Sequence, residues 1–594
     1  MNLPHSVRAR LSPPVKLLSA GPWSARLVGD ELAHISYAGQ PVLRAIKAVV
    51  RDHNWGTVPP SLDTVEVSQG DKGMDVRWSV TYAGAGIHYD GSLTAKFTTE
   101  AVEVGFTGKA VQAFQSNRIG LVVLHPPTDA GKDITVDHTD GSKENARFPV
   151  DISPHQPFMD IAALEWRDAG TGFRLSFSGD VFETEDQRNW TDASFKTYST
   201  PLSRPFPRNI GAGDTVQQSI RLEASPLTHP TGAHTYTTAD GGYGDDKPHR
   251  IQVTLGSSAG RVPGLALAAA SPQHTPAVIP GLEGLLVELV ETPGVASVTD
   301  WAAKLRAAAD YAAGCGAGLD IRVVSSTPAR TIPDLAPFLP RTIRLAAFHP
   351  ASHATDPDTW QEFTEMARAA GFTGSFLAGA RSHFTELNRN SSRLPDGDAL
   401  TFSITPQMHS TETAHIIDSV PMQALTAKNA RRLGKGKPLH IGPVTLLPRF
   451  NAVATSADAS VALADELQNH PFTAAWTVAS IAALTLHGVE SITYYTASGP
   501  AGATVVEGVL NPAGQVIKEI AGHRGNSVLG VELETDLPVT VYPIVGPEGL
   551  TIFTANLSPS TVELAIDNKT VLTAPRTAST TLEPYTAGIL RFTL

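Results

Sequence analysis

Cysteine is almost absent from this chain, which has one, Cys315, among 594 residues. A single thiol excludes a disulfide framework and a metal cluster built on cysteines. Because Cys315 lies in the small-residue stretch DYAAGCGAG, we expect it to be buried and unreactive.

Long hydrophobic runs and basic tracts are missing as well. No window approaches the roughly 18 apolar residues of a membrane span, and the N-terminal MNLPHSVRARLSPP has two arginines with no apolar segment after them. The formal net charge of -12 is spread along the chain, which argues against nucleic acid and anionic membranes as partners. We predict a cytoplasmic protein with a small, neutral or weakly anionic ligand, and leave the oligomeric state open.

Motifs for metals, nucleotides and acyl-enzymes are weak or missing. There is no HExxH, and the pairs His349/His353 and His383/Glu386 arise readily by chance among twenty histidines. The G-x-S-x-G at Gly256–Gly260 lacks the strand before and the helix after that a nucleophile elbow needs. No phosphate-binding or dinucleotide fingerprint follows a strand. We therefore predict no metal and no other cofactor.

The two ends of the chain have the pattern of antiparallel β structure. From about residue 20 to 250, apolar and polar residues alternate with period two, as in GSLTAKFTTEAVEVGFTGKAV, between Gly, Asp and Pro. The same pattern returns after Ala501 and ends in GILRFTL. We predict an N-terminal antiparallel β-sandwich, supersandwich-like, over residues 1–249, and a C-terminal β-sandwich over residues 501–594.

Between these regions, apolar runs alternate with alanine-rich helical segments such as Asp300–Ala313, Thr359–Ala370 and Phe472–His487. Eight β-then-α units over roughly 250 residues are typical of a (β/α)8 TIM barrel, which we predict over residues 250–500. The fold class is therefore multidomain β and α/β. The eight predicted strands are Val262–Ala268, Gly284–Val290, Leu319–Ser325, Ile343–Phe348, Thr373–Ala378, Ala399–Thr405, Pro438–Thr445 and Ser491–Thr496.

One stretch of the N-terminal region, Gly179–Pro207, is rich in charged and aromatic residues and has almost no aliphatic ones. Aromatic rings stack on sugar faces, while carboxylate, amide and guanidinium groups bind hydroxyls. The stretch predicts part of a carbohydrate site that shares one cavity with the barrel mouth; the alternative is a salt-bridged surface corner. The candidate residues are Asp180, Glu183, Glu185, Arg188, Asn189 and Trp190.

The fifth βα segment of the barrel, GARSHFTELNRNSSRLPDG, is long for a loop, which favours a binding role. Glu386 is our first candidate for a general acid or base, because apolar Phe384 and Leu387 beside it can raise its pKa. The segment also supplies Arg381, His383, Asn388 and Arg389.

The sixth strand alternates apolar and polar residues, which points Gln407 and His409 into the top of the barrel. The alternative for His409 is a satisfied histidine under a loop. Arg449 and Tyr494, after the seventh strand and on the eighth, are further candidates for substrate binding, with packing as the alternative for each. Glu288 and Arg322, on the second and third strands, predict a buried structural pair.

The order sandwich, barrel, sandwich is common among retaining glycoside hydrolases, which place glutamates after strands four and seven. Here the fourth strand ends in AAFHP and the seventh in IGPVTL, and neither contains a glutamate. Either the strand count is off by one, which would give Glu386 the acid position, or this barrel performs a hydrolysis that needs only one carboxylate.

The strings EDQRNWTDASFKTYSTPLSRPFP, FTELNRN, SITPQMH and PVTLLPRFN together resemble the D-apionate lactonase family of bacterial D-apiose catabolism. The resemblance extends through the predicted sandwich and barrel. It implies hydrolysis of D-apionolactone, a five-membered sugar lactone, to D-apionate in the cytoplasm. It carries over no catalytic residue.

Ester hydrolysis needs one base for water, donors for the oxyanion and a proton for the leaving alkoxide. We assign the base to Glu386, the proton shuttle to His409, and the oxyanion and hydroxyl contacts to Arg188, Asn189 or Arg389. One alternative is a glycoside hydrolase for a furanosyl or apiosyl linkage, with Glu183 or Glu185 as partner of Glu386. A third reading is a non-catalytic sugar-binding protein.

Overall fold

The structure, a computed structural model, describes residues 4–70, 73–226, 236–241, 248–270, 275–291, 298–456, 459–506, 508–567 and 577–593. The chain forms two compact units. The N-terminal unit comprises Met1–Arg188, Ala193–Tyr243 and Asn451–Ser460. The barrel unit comprises Asn189–Asp192, Gly244–Phe450 and Val461–Leu594. Each unit therefore includes a short segment that lies, in sequence, within the other.

The N-terminal unit begins with helix α1, His5–Leu11, and continues in strands. All of the strand pairings that the structure describes in it are antiparallel, as the period-two pattern predicted, and they join eighteen strands into one hydrogen-bonded sheet. The sandwich layering of that sheet stays a prediction. The strands are β1 Val15–Ala20, β2 Trp23–Val28, β3 Glu31–Tyr37, β4 Gln40–Asp52, β5 Pro60–Gly70, β6 Gly73–Gly84, β7 Ile87–Phe97, β8 Ala101–Ala110, β9 Phe114–His125, β10 Asp133–His138, β11 Lys143–Arg147, β12 Phe158–Asp168, β13 Thr171–Ser178, β14 Phe182–Asp186, β15 Phe195–Tyr198, β16 Arg208–Ile210, β17 Thr215–Pro226 and β18 Tyr236–Gly241.

The core of the N-terminal unit follows from the alternation of its strands. Along β6, Trp78, Val80 and Tyr82 are buried, whereas the residues between them face outward. On the neighbouring β7, Tyr89 and Leu93 are also buried, so both strands turn their apolar faces into the same cluster. Large aromatic side chains on one face of a sheet bury the apolar area that stabilises it.

The barrel unit contains fifteen strands in its described part. Eight of them, β20 to β27, form a closed barrel of parallel strands, and seven form a second sheet in the order β32-β31-β19-β28-β29-β30-β33. The strands are β19 His249–Arg261, β20 Gly264–Ala268, β21 Gly284–Val290, β22 Gly318–Val324, β23 Thr342–Phe348, β24 Ser375–His383, β25 Ala399–Ser403, β26 Leu439–Val444, β27 Val489–Thr496, β28 Ser527–Leu533, β29 Val539–Gly546, β30 Gly549–Asn556, β31 Val562–Asp567, β32 Thr577–Leu582 and β33 Thr586–Thr593.

Helices follow most barrel strands, and α8 also packs against β29, β30 and β33 of the second sheet. None of the described helices has the length and apolar character that a membrane crossing requires. The helices are α2 Val298–Cys315, α3 Ile332–Leu335, α4 Pro357–Ala369, α5 Phe384–Arg389, α6 Thr413–Asp418, α7 Val420–Leu433, α8 Pro471–Leu484 and α9 Pro512–Ala521, and short 3₁₀ turns lie at Pro127–Asp129, Gln187–Trp190, Pro328–Thr331 and Leu339–Arg341.

The barrel prediction is confirmed, since each of the eight predicted strands has a counterpart in the closed barrel, and one correction concerns its start. The strand β19 precedes the barrel in sequence but pairs with β28 and β31, so the second sheet begins on the barrel side of the predicted boundary at residue 250. Ser258 lies on this strand and bonds Ser527, far from any nucleophile elbow. Cys315 is buried, as expected.

The fifth βα segment is more ordered than predicted. The strand β24 continues to His383 and passes directly into α5, so the irregular part begins only after Arg389. Gly379 makes this possible, since its φ is +143° and a Cβ there would lie 2.1 Å from the carbonyl oxygen of Thr401. The register against β25 shifts between Gly379 and His383.

The barrel interior contains a ladder of buried charges. Asp320 is fully buried and accepts from Arg322 at 3.2 Å and from Arg344 at 3.0 Å. Arg344 also pairs with Glu283 at 3.1 Å, and Arg322 donates to the carbonyl oxygen of Gly442 at 2.7 Å. Despite the opposing effect of burial, Arg322 and Arg344 lower the pKa of Asp320 to about 2. The ladder links β22, β23 and β26 with Glu283, the residue before β21.

Replacing Asp320 by Asn should lower the free energy of unfolding by about 3–5 kcal/mol, because two buried guanidinium groups lose their shared counter-charge. Urea unfolding of the full chain measures the loss. The matched control is Asp396→Asn, a side chain that is 94% exposed and paired with Lys437, which should change the free energy by less than about 0.5 kcal/mol. Equal losses in the two variants would contradict a stabilising ladder.

Candidate active site

Most of the residues predicted from Gly179–Pro207 are held by partners within the N-terminal unit. Oδ1 and Oδ2 of Asp180 accept from the Val181 N–H and the Thr200 hydroxyl. Glu183 is buried and accepts from the hydroxyl of Tyr198 at 2.5 Å and from the backbone of Leu202 at 2.8 Å. Glu185 pairs with Lys196 at 2.6 Å. These contacts organise the β14–β15 hairpin, and we leave Asp180, Glu183 and Glu185 out of the proposal below.

Arg188 requires a correction, because its guanidinium is already occupied. Its side chain is 1% exposed and binds both carboxylate oxygens of Asp186, at 2.8 and 2.7 Å. It also donates to the carbonyl oxygens of Pro149 and Val150 and lies 4.3 Å over the ring of Phe195. An arginine with its guanidinium engaged in this way stabilises the hairpin, and the side chain predicted to bind substrate is buried against partners of its own unit.

The tip of the same stretch, Asn189–Asp192, belongs to the barrel unit. The carbonyl oxygen of Asn189 accepts from Thr385 of α5 at 2.9 Å, and its side chain accepts from Asn388 at 2.9 Å. Both bonds are buried, so the tip is fixed to α5. Asn189 and Trp190 thus lie in the same unit as Asn388, and their role in substrate binding stays a prediction.

A histidine and a carboxylate meet at the carboxyl end of β25. Nδ1 of His409 lies 2.7 Å from Oδ2 of Asp192, although the two residues are 217 positions apart in sequence. The ring of Trp190 lies 5.8 Å from those of both His409 and His383, and Arg389 lies 5.7 Å over Trp190. The predicted residues His383, Arg389 and His409 therefore share one aromatic neighbour. Asp192, which sequence reasoning missed, completes the pair.

Glu386 is buried where the prediction placed a general acid or base. Its Oε2 accepts from the hydroxyl of Ser382 at 2.6 Å and from the backbone N–H of His383 at 3.0 Å. The bond from His383 is one half of a capping box at the start of α5. Burial raises the pKa of Glu386 above its usual value, although the two hydrogen bonds oppose the shift. The carboxylate therefore has a structural task as well as an altered affinity for protons.

Two further predicted residues tie the barrel to its surroundings. Gln407 donates to the carbonyl oxygen of Leu446 at 3.0 Å and to Asp465 at 2.8 Å. The hydroxyl of Tyr494 lies 2.8 Å from that of Ser480 on α8, so its side chain points into the helix layer and away from the barrel interior. This orientation corrects the assignment of Tyr494 to substrate binding.

A second cluster, which we call the arginine cluster, comprises Glu288, Arg381, Arg449, Phe450 and His353. Glu288 accepts from Arg381 at 2.7 Å and from Arg449 at 3.1 Å. Phe450 lies 4.0 Å from the guanidinium of Arg381 and 4.9 Å from the ring of His353. The five residues lie on β21 and β24 or follow β23 and β26, so they meet at the carboxyl end of the barrel.

The arginine cluster overturns one prediction from sequence. Glu288 and Arg322 are neighbours in register on β21 and β22, but they do not pair with each other. Arg322 binds Asp320, while Glu288 binds the two arginines from the far side of the barrel. A clue was present in the sequence, since Glu288 is the one charged residue of an otherwise apolar strand.

The arginine charges hold the nearby histidines neutral. Burial and then the charge of Arg449 lower the pKa of His383 to about 3. Burial and then Arg381 lower the pKa of His353 to about 4. Burial acts against ionisation of Glu288, but Arg449 and Arg381 outweigh it and hold its pKa well below the usual range. At neutral pH the arginine cluster together with His383 therefore contains two cations, one anion and two uncharged imidazoles. No group of three or more potential ligands in the described residues could hold a metal ion.

Two family models match this chain. The N-terminal domain of D-apionate lactonase matches residues 5–226, and the TIM barrel domain of D-apionate lactonase matches residues 264–525. The chain belongs to the D-apionate lactonase family. The family models thus include both the hairpin that contributes Asp192 and the barrel that contributes His409.

One curated relative that covers almost the whole chain has the name of this family. A D-apionate lactonase from Brucella anthropi is 27% identical over 614 residues, which cover 97% of this chain and 96% of that protein. Among solved structures, a GH30 endoxylanase from Clostridium papyrosolvens C71 has a TM-score of 0.39 at 11% identity, covering 57% of this chain and 98% of that one. A putative aldose 1-epimerase from Escherichia coli K12 has a TM-score of 0.26 at 9% identity, covering 36% and 100%.

The neutral state of His383 predicts a loss of stability in acid. The unfolded chain takes up a proton on this histidine below about pH 6.5, whereas the folded chain does so only near pH 3. Stability that is present above pH 6.5 should therefore fall by about 2 kcal/mol at pH 5. His383→Asn keeps a good N-cap residue for α5 and should show a correspondingly smaller decrease in unfolding free energy between pH 7.5 and pH 5. The same decrease in both proteins would contradict this account.

Proposed function

We propose that this member of the D-apionate lactonase family is a sugar lactonase that hydrolyses D-apionolactone to D-apionate at the carboxyl end of its barrel. The observation that carries the proposal is the 2.7 Å contact between His409 and Asp192 beside Trp190. The family supports the reaction class, and the contact supplies a group able to perform it. In keeping with the family, we also propose a cytoplasmic place in D-apiose catabolism.

The contact fixes the tautomer of His409. When the Nδ1–H of a neutral imidazole donates to a carboxylate, the lone pair is on Nε2, and the carboxylate stabilises the imidazolium that forms on proton uptake. Asp192 is buried, so its attraction for that imidazolium is only weakly screened. His409 is thereby oriented as a general base.

The reaction then proceeds in two steps. His409 takes a proton from water as the water oxygen attacks the lactone carbonyl, which gives a tetrahedral oxyanion. The ring C–O bond breaks as the oxyanion collapses, and the imidazolium returns the proton to the leaving alkoxide. The products are a hydroxyl group and a carboxylic acid. The acid ionises to a carboxylate and releases one proton to solvent. Trp190 offers a ring face for the sugar, with Asn388 and Arg389 beside it.

Glu386 remains the second candidate for the base. Its raised pKa suits proton transfer, but Oε2 is engaged in the cap of α5. His409, whose ring is positioned by a carboxylate, fits the role better because its protonated form has a counter-charge at hydrogen-bond distance. If His409 is the base, the role of Glu386 is to position α5, which contains Thr385 and Asn388.

A paired-carboxylate glycosidase is less consistent with the site. Among the described residues, neither β23 nor β26 ends in a glutamate; the first glutamates after them are Glu362, within α4, and Glu466, shortly before α8. Glu288 is tied to two arginines, and Glu183 and Glu185 are bonded within the N-terminal unit. None of these carboxylates has the setting of a nucleophile opposite a protonated acid.

A panel of sugar lactones and nitrophenyl furanosides tests the function. We expect base uptake at constant pH with D-apionolactone, and weaker or no uptake with six-membered lactones. Nitrophenol release from the furanosides would support a glycosidase in its place. Binding of the sugars without turnover of any compound would support the non-catalytic alternative.

Variants of His409, Asp192 and Glu386 test which group is the base. His409→Gln and Asp192→Asn should each lower kcat by about 10²–10⁴-fold with little change in Tm, because general-base catalysis or its orientation is lost. Glu386→Gln should lower Tm slightly, because an amide oxygen accepts the cap hydrogen bonds more weakly than a carboxylate, and should change kcat by less than about tenfold. The matched control is His487→Gln, an exposed histidine of the same unit. A large loss of kcat in Glu386→Gln with full activity in His409→Gln would reverse the assignment.

A further inference from the structure

The arginine cluster differs from the charge ladder in the balance of positive and negative charges. In the ladder, Asp320 and Glu283 face Arg322 and Arg344, and Arg524 joins Glu283 only at the exposed surface. In the arginine cluster, one carboxylate, Glu288, faces two guanidinium groups. His353 and His383 are neutral and add no charge. The cluster therefore has one positive charge in excess, in a largely buried position.

An excess buried charge is unfavourable unless an anion joins it. Two polar atoms of the cluster are consistent with a bound anion. Nε of Arg381 and Nδ1 of His353 are both buried and have no hydrogen-bond partner among the described residues. Buried polar atoms are rarely left without partners unless a ligand or water satisfies them.

The geometry keeps the arginines in place without using all of their donors. Arg449 donates to the carbonyl oxygen of Arg381 at 2.8 Å, and Phe450 supports the guanidinium of Arg381 at 4.0 Å. Both arginines are thus preorganised around Glu288. An arginine fork held in this way matches the two oxygens of a carboxylate.

The cluster also lies near the proposed catalytic pair. His383 follows Arg381 by two positions on β24, and the ring of Trp190 lies 5.8 Å from the rings of both His383 and His409. Lactone hydrolysis converts a neutral substrate into an anionic product, so a positive subsite beside the pair favours the product over the lactone.

We propose that Arg381 and Arg449 form an anion subsite for the carboxylate of the ring-opened sugar acid, a role that rests on the proposed lactonase function. Glu288 positions the two arginines and neutralises one of them, which limits how tightly the product is held. Product inhibition by the sugar acid is the direct consequence.

Titration calorimetry on the full chain in a His409→Gln background tests the subsite without turnover. The two probes are D-apionate and D-apiitol, which has a CH₂OH in place of the carboxylate. D-apionate should bind at least tenfold more tightly than D-apiitol, and Arg449→Gln should remove this preference while Glu288 and Arg381 still form a neutral pair. Arg393→Gln, which removes an exposed arginine of the same unit, should leave the preference intact.

A preference for D-apionate that survives Arg449→Gln, or that is absent from the start, would overturn the subsite. If Arg449→Gln does not fold, Glu288→Gln gives the opposite sign: removal of the internal carboxylate should tighten D-apionate binding, and unchanged or weaker binding would also overturn the proposal. If the chain hydrolyses the lactone but Arg449→Gln does not change D-apionate binding, the result would count against the subsite alone. Intact, Arg449-dependent binding in a chain that hydrolyses no lactone would count against the lactonase alone.

Discussion

The need to pair charges inside a closed barrel governs the rest of this site. Ionised groups in a protein interior are tolerated only when a counter-charge and hydrogen bonds replace their water. This barrel contains Glu283, Arg344, Asp320 and Arg322 in a connected ladder. Because Arg322 and Arg344 are engaged by Asp320 and Glu283, the next acidic residue, Glu288, pairs with arginines from other strands.

Those partners come from the carboxyl ends of other strands, and they influence the protonation of the histidines around them. Arg381 and Arg449 meet at Glu288, and their charge adds to burial in keeping His353 and His383 unprotonated. Neutral imidazoles beside cations cannot serve as acids near neutral pH. In the mechanism that we propose, proton transfer falls to a histidine with its own carboxylate, and His409 with Asp192 is such a pair.

Local patterns were sufficient to predict the barrel from sequence. Each parallel strand is an apolar run bounded by turns, and the spacing of such runs does not depend on distant residues. All eight predicted strands are present, and the errors lie at ends, as at β24, where a glycine lets the strand continue into α5.

Pairing across the fold could not be predicted in the same way. Arg188 looks like a substrate ligand in sequence, but Asp186 two positions before it and the carbonyl oxygens near Pro149 complete its shell. By strand register Glu288 looks like a partner for Arg322. Only the closed barrel shows that its partners are Arg381 and Arg449. Which charges meet depends on tertiary structure, and side-chain type alone does not encode it.

The position of Asp192 explains why the leading region of the chain belongs to the enzyme. A barrel cut from this sequence at residue 250 would retain His409 but would lose Asp192, Trp190 and Asn189, all of which belong to the barrel unit. Thr385 and Asn388 would then lose the partners that they have in Asn189, and His409 would lose the carboxylate that sets its tautomer.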